Sequence, residues 1–322
     1  MSEMVSIIVP AYNAELTIVE CVNSLLAQTY PFFEIIVIDD YSKDKTIEVL
    51  ESNFANNEKI RFFSNSKNEG PGQSRNNGIA KARGEWIAFC DADDTYEENY
   101  LEVIFNKKDV DDECVICNFR YVTSKMKYIY PSNISVLDNS KNSAIAASGF
   151  SLCRTVTKIH LWDDLLIPQL YNYEDASIIP ILIDRAKKIS IIDDVLYNYR
   201  LRKGSASINR PTKRTFNNSL EAFSFIESNL PNNYHEEIEF LGIQMVIYAS
   251  TIIGLKAKIK IKELKKHIDI FRNKYPLALA NKYYKNLSNR KRFFIKRAFN
   301  KKIFLLKVYA SLHHIYRTMI AR

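Results

Sequence analysis

The chain reads as an α/β protein: a doubly wound, mainly parallel sheet followed by a helical C-terminal region. Three observations lead there. Over residues 5–90, short runs rich in Val, Ile and Phe alternate with segments of helical periodicity, and strands apolar on both faces belong to parallel sheets covered by helices on both sides. Acidic and polar clusters fall directly after those runs, at the carboxyl ends of the strands, where open sheets of this kind bind ligands. Beyond about residue 215 strand-like patterns stop, and the apolar residues recur at helical spacing.

Each element has its own justification. VSIIV (residues 5–9) is a buried strand, after which Leu16, Val19, Val22, Leu25 and Leu26 mark a helix. EIIVID (34–39) is the second strand, followed by a short helix carrying Ile47 and Leu50. Residues 61–63 form the third, then a loop over 68–72 and a helix over 73–82. EWIAFC (85–90) is the fourth, running straight into Asp91, Asp93 and Asp94. Residues 113–119 are strand-like, and 178–183 form an apolar helix. The C-terminal helices are expected over 216–228, 236–255, 261–275 and 290–321, with a domain boundary near Arg210 and Pro211: a catalytic domain over 1–210 and a basic helical region over 211–322.

Composition narrows the class. A chain of 322 residues is long for one domain and suggests a main and a smaller one. With 47% hydrophobic and 25% charged residues, 8 Gly and 9 Pro, it is neither collagen-like nor disordered. No uncharged apolar run approaches the roughly 18–20 residues needed to cross a bilayer. Glu3 sits where a secretory leader would be basic, and the apolar run over 5–9 ends at Pro10, so a cytoplasmic location is expected. The five cysteines do not suggest a disulfide framework. Cys114 and Cys117 have zinc-ligand spacing, but residues three apart on a strand face opposite ways, so both read as core hydrophobes.

Charge is unevenly distributed. Residues 254–322 hold 20 of the 45 lysines and arginines but only two of the 37 acids, Glu263 and Asp269. An acidic body therefore carries a basic extension drawn to polyanionic surfaces.

Asp91 and Asp93 form a DxD triplet in a strand-end turn, where alternate carboxylates face one pocket with space for a hard divalent cation and its waters, as a pyrophosphate ligand requires. VSIIVPAYN (5–13), IDDYSKD (38–44), NEGPGQSRN (68–76), GEWIAFCDADD (84–94), YED (173–175) and YNYR (197–200) occur in that order. In this series the chain resembles family 2 glycosyltransferases, inverting enzymes with the GT-A nucleotide-sugar fold, over about residues 4–205. The resemblance implies a sugar moved from a nucleotide diphosphate, most plausibly a UDP-sugar, to a hydroxyl of a growing surface polysaccharide or lipid-linked glycan. It implies that Pro10, Tyr12 and Asn13 line the base and ribose pocket and that Asp40 accepts from the base imide. Arg75 would face the nucleotide, Asp91 the ribose or the metal, and Asp93 the metal, Mn2+ or Mg2+; which of Asp91, Asp93 and Asp94 binds it is left open. Asp175 matches the family's general base, with Glu174 as its neighbour; the plainer alternative is a helix N-cap. Arg200, with residues 202–205, resembles a basic loop closing over the diphosphate; a solvated turn is the alternative. His160 reads as structural. Tyr41 stands where the family commonly has Gly, and Cys90 where it has a branched aliphatic, departures that bear on donor preference.

Two other readings stand beside this one, a non-catalytic nucleotide-sugar-binding scaffold and a sugar nucleotidyltransferase. The latter would be expected to carry a Gly-rich basic loop after the first strand, where Pro10-Ala-Tyr-Asn13 stands instead. In the extension, Phe294, Ala298, Leu305, Val308, Tyr309, Leu312, Ile315, Tyr316 and Met319 interleave with Lys296, Arg297, Lys301, Lys302, Lys307 and Arg317. That pattern suits a helix over 290–322 lying on an anionic membrane, peripheral at the inner face of the plasma membrane, or packing into a helical bundle. It contains no motif for reading nucleic acid.

Overall fold

The apolar runs of β1 (Val5–Ala11), β2 (Phe33–Asp39) and β4 (Trp86–Phe89) become strands whose Val and Ile side chains are fully buried on both faces. A computed structural model describes residues 3–123, 127–129, 140–148, 151–201 and 210–310, apart from 305 and 308. It divides into two units, one of Met1–Lys141, Gly149–Leu170 and Glu174–Leu201, the other of Asn142–Ser148, Tyr171–Tyr173 and Arg202–Arg322. The division thus falls after Leu201, and two short internal segments join the helical unit.

In the first unit, β1 (Val5–Ala11), β2 (Phe33–Asp39), β3 (Ile60–Ser64) and β4 (Trp86–Phe89) alternate with α1 (Ile18–Leu26), α2 (Thr46–Phe54) and α3 (Pro71–Ile79). Then follow β5 (Thr95–Tyr96), α4 (Tyr100–Lys107), β6 (Asp112–Val122), β7 (Lys127–Ile129), β8 (Thr155–Lys158), α6 (Glu174–Arg185) and β9 (Lys188–Arg200); α5 (Lys141–Ala147) comes between β7 and β8 in the chain but belongs, from Asn142 on, to the second unit. The strand order is β3-β2-β1-β4-β8-β6-β9-β5, with β7 paired to β6. The first four are parallel neighbours. β8 runs antiparallel to both β4 and β6, β9 is parallel to β6, and β5 is antiparallel to β9. Because one reversed strand separates β4 from β6, β6 and β9 point the same way as β1 to β4. Arg200 therefore reaches the same edge as Asp39 and Asp91.

Helix α1 buries Ile18, Cys21, Val22 and Leu25, the spacing of one helical face; an apolar side chain of this size gains roughly 1.5–3 kcal/mol on full burial. Helix α3 starts two residues earlier than its periodicity suggests, because Pro71 suits a first helical position and Gly70, at φ 89°, turns the chain into it. Gly78 packs so closely on β1 that a Cβ there would lie 2.4 Å from Ile8 Cγ2. Cys114 and Cys117 are both fully buried on β6, and burial pushes their thiols up to about 12.

In the second unit, a capping box between Thr212 and Thr215 starts α7 (Lys213–Asn229). One continuous helix follows over Asn232–Lys256, α-helical as α8 (His235–Gly242), π-helical over Ile243–Ser250 and α-helical again as α9 (Thr251–Lys256). An 18-residue window of this 25-residue helix has a mean hydropathy of 1.7, enough by length and composition alone to cross a membrane, but 78% of that window is buried in the folded chain. This is the helix expected over 236–255, and Glu236, Glu237 and Glu239 interrupt its first turns, so it holds no uncharged run long enough to cross a bilayer. Around it pack α7, α10 (Ile261–Lys274) and α11 (Asn289–Phe299), through ring contacts such as Phe223 with Phe271 and Tyr248 with Phe294. The helix expected over 290–321 ends at Phe299, followed by Lys301 at φ 57°. Phe294, Ile295, Ala298, Phe299, Ile303, Leu306 and Ala310 are buried, so the described part of the apolar stripe packs in the protein. Leu305, Val308, Leu312, Ile315, Tyr316, Arg317 and Met319 lie outside the residues whose side chains are described.

Candidate active site

The carboxyl edge of the sheet collects the expected residues. β1 ends in Pro10 and Ala11, and the loop after it carries Tyr12 and Asn13. Asn13 ties two strand ends together: its N–H donates to Ser42 Oγ at 2.9 Å, and its Oδ1 accepts from Lys43 N at 2.8 Å. Asp40 N–H donates to Ala11 O at 2.7 Å. The Asp40 carboxylate is buried and already accepts three hydrogen bonds, from Asn65 Nδ2 at 2.9 Å, Glu69 N at 2.9 Å and Gly70 N at 2.7 Å. It anchors the loop ahead of α3, and a carboxylate has capacity for about one bond more.

Arg75 differs from expectation. It is 2% exposed, and its guanidinium faces inward to three carboxylates: Nη2 lies 2.7 Å from Asp91 Oδ1, and Nη1 lies 2.9 Å from Glu174 Oε1 and 3.2 Å from Asp175 Oδ1. Burial works against its charge, but Asp175, Asp91 and Glu174 outweigh it and hold the group protonated. Its Nε is buried without a hydrogen-bond partner among the described residues. Helix α3 brings the cation from one side, the turn after β4 brings Asp91, and the first turn of α6 brings the two remaining acids.

Asp175 lies inside the first turn of α6, one residue past its start, rather than at a cap. Its Oδ2 accepts from Ser151 Oγ at 3.0 Å and from Leu152 N at 3.1 Å, which fixes the plane of the carboxylate. The side chain is still 19% exposed. Burial raises its pKa, and Arg75 opposes the rise only in part. Glu174 is pushed up to about 7, first by burial and then by the charge of Asp175. Both carboxyls are thus raised relative to an ordinary surface acid, the direction that strengthens a general base.

Asp94 turns inward. Tyr197 Oη donates to its Oδ2 at 2.5 Å and Arg200 N to its Oδ1 at 2.7 Å. Burial, then Asp91 and Asp93, push its pKa well above the usual range. It acts as a clasp between the DxD turn and β9. Asp91 and Asp93, both only partly buried, are left as the carboxylates at the rim. Among the described residues no cluster of three or more His, Cys, Asp or Glu could hold a metal. Two carboxylates nevertheless match the donor set of Mg2+ or Mn2+ sites completed by substrate phosphates and water. The Arg200 guanidinium is committed to Glu20 of α1. Residues 202–205 of the same basic segment lie outside the described residues. His160 Nε2 sits 3.4 Å from Glu113 in a 3-10 turn over Ile159–Trp162.

Ser151 and Leu152 shape this site without any local signal in the sequence, and the YNYR motif does not reveal the contact that its Tyr197 makes. Ser151 and Leu152 orient Asp175 from 24 and 23 positions away. The Tyr197 oxygen receives the Asp91 N–H at 3.3 Å across 106 positions.

A parallel-rich sheet with an acid-lined carboxyl edge and a helical C-terminal part is the architecture of GT-A transferases. S. aureus TarS 1-349 in complex with UDP-GlcNAc superposes with a TM-score of 0.70 at 23% identity, over 98% of this chain and 92% of that one. Against a longer TarS structure the chain spans 54% of its length. The mannosyltransferase PcManGT from Pyrobaculum calidifontis, in complex with GDP-Man and Mn2+, gives a TM-score of 0.63 at 17% identity over 94% and 88%. The model of the family described as glycosyl transferase family 2 matches residues 6–159. Glycosyltransferase GlyG of Streptococcus pneumoniae serotype 4 is 30% identical over 224 residues, 64% of this chain and 73% of that protein. The chain belongs to glycosyltransferase family 2.

Proposed function

We propose that this glycosyltransferase transfers a sugar, with inversion, from a UDP-sugar to a hydroxyl of a surface polysaccharide or lipid-linked glycan. The observation that carries the reading is the Arg75 bridge: one buried guanidinium joins Asp91, on the donor side, to Asp175, on the acceptor side. Inversion is a single in-line displacement, so the base and the departing diphosphate must be held on opposite faces of the sugar at a set separation. In this reading Asp175 removes the acceptor proton during attack, with Ser151 and Leu152 holding its plane. Tyr12, Asn13, Pro10 and Asp40 form the nucleoside pocket. Asp91 and Asp93 would hold Mn2+ or Mg2+, which when bound neutralises charge on the departing diphosphate. Arg200 sits at the same edge and reaches the diphosphate only by leaving Glu20. The enzyme works peripherally at the inner face of the membrane, drawn by its basic C-terminal region. The UDP bound by TarS and the Mn2+ bound by PcManGT support the donor and cation assignments.

The test is UDP release from a panel of UDP-sugars with and without Mn2+, for the native chain, Asp93→Ala and Asp175→Asn. Metal-dependent release from one donor, lost in Asp93→Ala and reduced at least about a hundredfold in Asp175→Asn, is expected. Native-level turnover in either variant would sink the assignment.

A further inference from the structure

Tyr41 occupies an uncomfortable conformation without an evident structural benefit. The turn after β2 is closed by Ser42 N donating to Asp39 Oδ2 at 3.1 Å, and it puts Tyr41 at φ 65°, the left-handed region. Glycine adopts that conformation freely, whereas a side chain with a Cβ is strained there. Burial does not offset the strain, because Tyr41 is 44% exposed. Nor does hydrogen bonding: its phenol makes none among the described residues. Lys43 Nζ lies 3.2 Å from the ring centroid, covering one face and leaving the other. Next to it, at the end of the neighbouring parallel strand, Tyr12 is 49% exposed, and the two strand ends are stitched by the Asn13–Ser42, Asn13–Lys43 and Asp40–Ala11 hydrogen bonds. Two accessible aromatic side chains thus flank the buried Asp40.

We propose that Tyr41 is a second aromatic wall of the nucleobase pocket, its free face stacking on the base of the nucleoside diphosphate donor while Tyr12 contributes the other wall. The inference rests on the reading of this rim as the nucleotide site and adds to it a residue that sets affinity for the base. Stacking of a base on an aromatic ring tolerates any base, so Tyr41 strengthens binding while Asp40 supplies discrimination.

Titration calorimetry with UDP and with GDP on the native chain, Tyr41→Gly and Tyr41→Phe tests it. The native chain binds UDP, Tyr41→Gly binds roughly five- to a hundredfold more weakly, and Tyr41→Phe stays within about twofold. Tyr41→Gly should melt no earlier than the native chain, since glycine suits the backbone there. Equal affinity in Tyr41→Gly overturns the proposal while leaving the nucleotide reading intact, and so does a loss in Tyr41→Phe as large as in Tyr41→Gly. If the native chain takes up neither nucleotide, the reading of the rim fails and the proposal falls with it, a result seen before any variant is compared.

Discussion

Arg75 holds three carboxylates, and the balance among them decides how the site titrates. Burial favours the neutral form of Glu174, pushing it from an ordinary value of 4.5 up to about 7, and raises Asp175 as well. A carboxyl whose folded-state pKa is raised stabilises the fold fully below its unfolded value, and that contribution is lost as pH rises through the folded value. Stability should therefore decline between about pH 4.5 and about 7 through Glu174. Activity should move the opposite way, because a base works only when ionised. We expect kcat/KM to rise through an apparent pKa above the usual carboxylate range, one that belongs to the Glu174–Asp175 pair. Glu174→Gln keeps an oxygen for Arg75 but removes the like charge, so the acid limb of the pH–rate profile should shift to lower pH. A limb that does not move would show that Asp175 titrates independently of its neighbour. The acids of the DxD triplet were legible because they follow an apolar run, whereas those of the YED motif, which stand ahead of theirs, were legible only through the family resemblance. The inward turn of Arg75 was not, since its contacts lie 16 and 99 positions away.

At the scale of elements, α3 is held by what it lacks. The close approach of Gly78 to Ile8 lets the helix lie against β1 and places Arg75 over the turn after β4. In Gly78→Ala the new methyl meets Ile8 in a core with little free volume, and overpacking of this kind typically costs about 1–3 kcal/mol. Urea denaturation should show the midpoint falling with little change in slope; a midpoint at the native position would mean that Ile8 moves aside freely. The first four strands could be read directly, because runs such as VSIIV and EIIVID leave no alternation for a half-exposed strand. The ends of helices were harder. Helix α6 begins at Glu174, ahead of its apolar run, and contains Pro180, so local propensity places neither its start nor its continuity.

For the whole molecule, the division of charge outlasts the change in the reading of the C-terminal region. Phe294, Ala298 and Ala310 are buried, so the described part of the apolar stripe does not face a membrane. What that part retains is cationic surface, and any attraction to anionic lipid through it should be mainly electrostatic. We expect the full chain to float with vesicles rich in anionic lipid at low salt and to be released near 1 M salt, where the screening length is about 3 Å. Flotation that persists at that salt would point instead to apolar insertion. The sequence by itself determined the sheet class, the strand-end clustering of acids and the charge asymmetry, because all three follow from local periodicity and from counting. Only the tertiary structure decided that Arg75 faces three carboxylates, that Asp94 is a clasp and that the helix expected over 236–255 is mostly buried in the fold. Those outcomes depend on groups scores of positions apart meeting in a place where water is excluded, which no local pattern encodes.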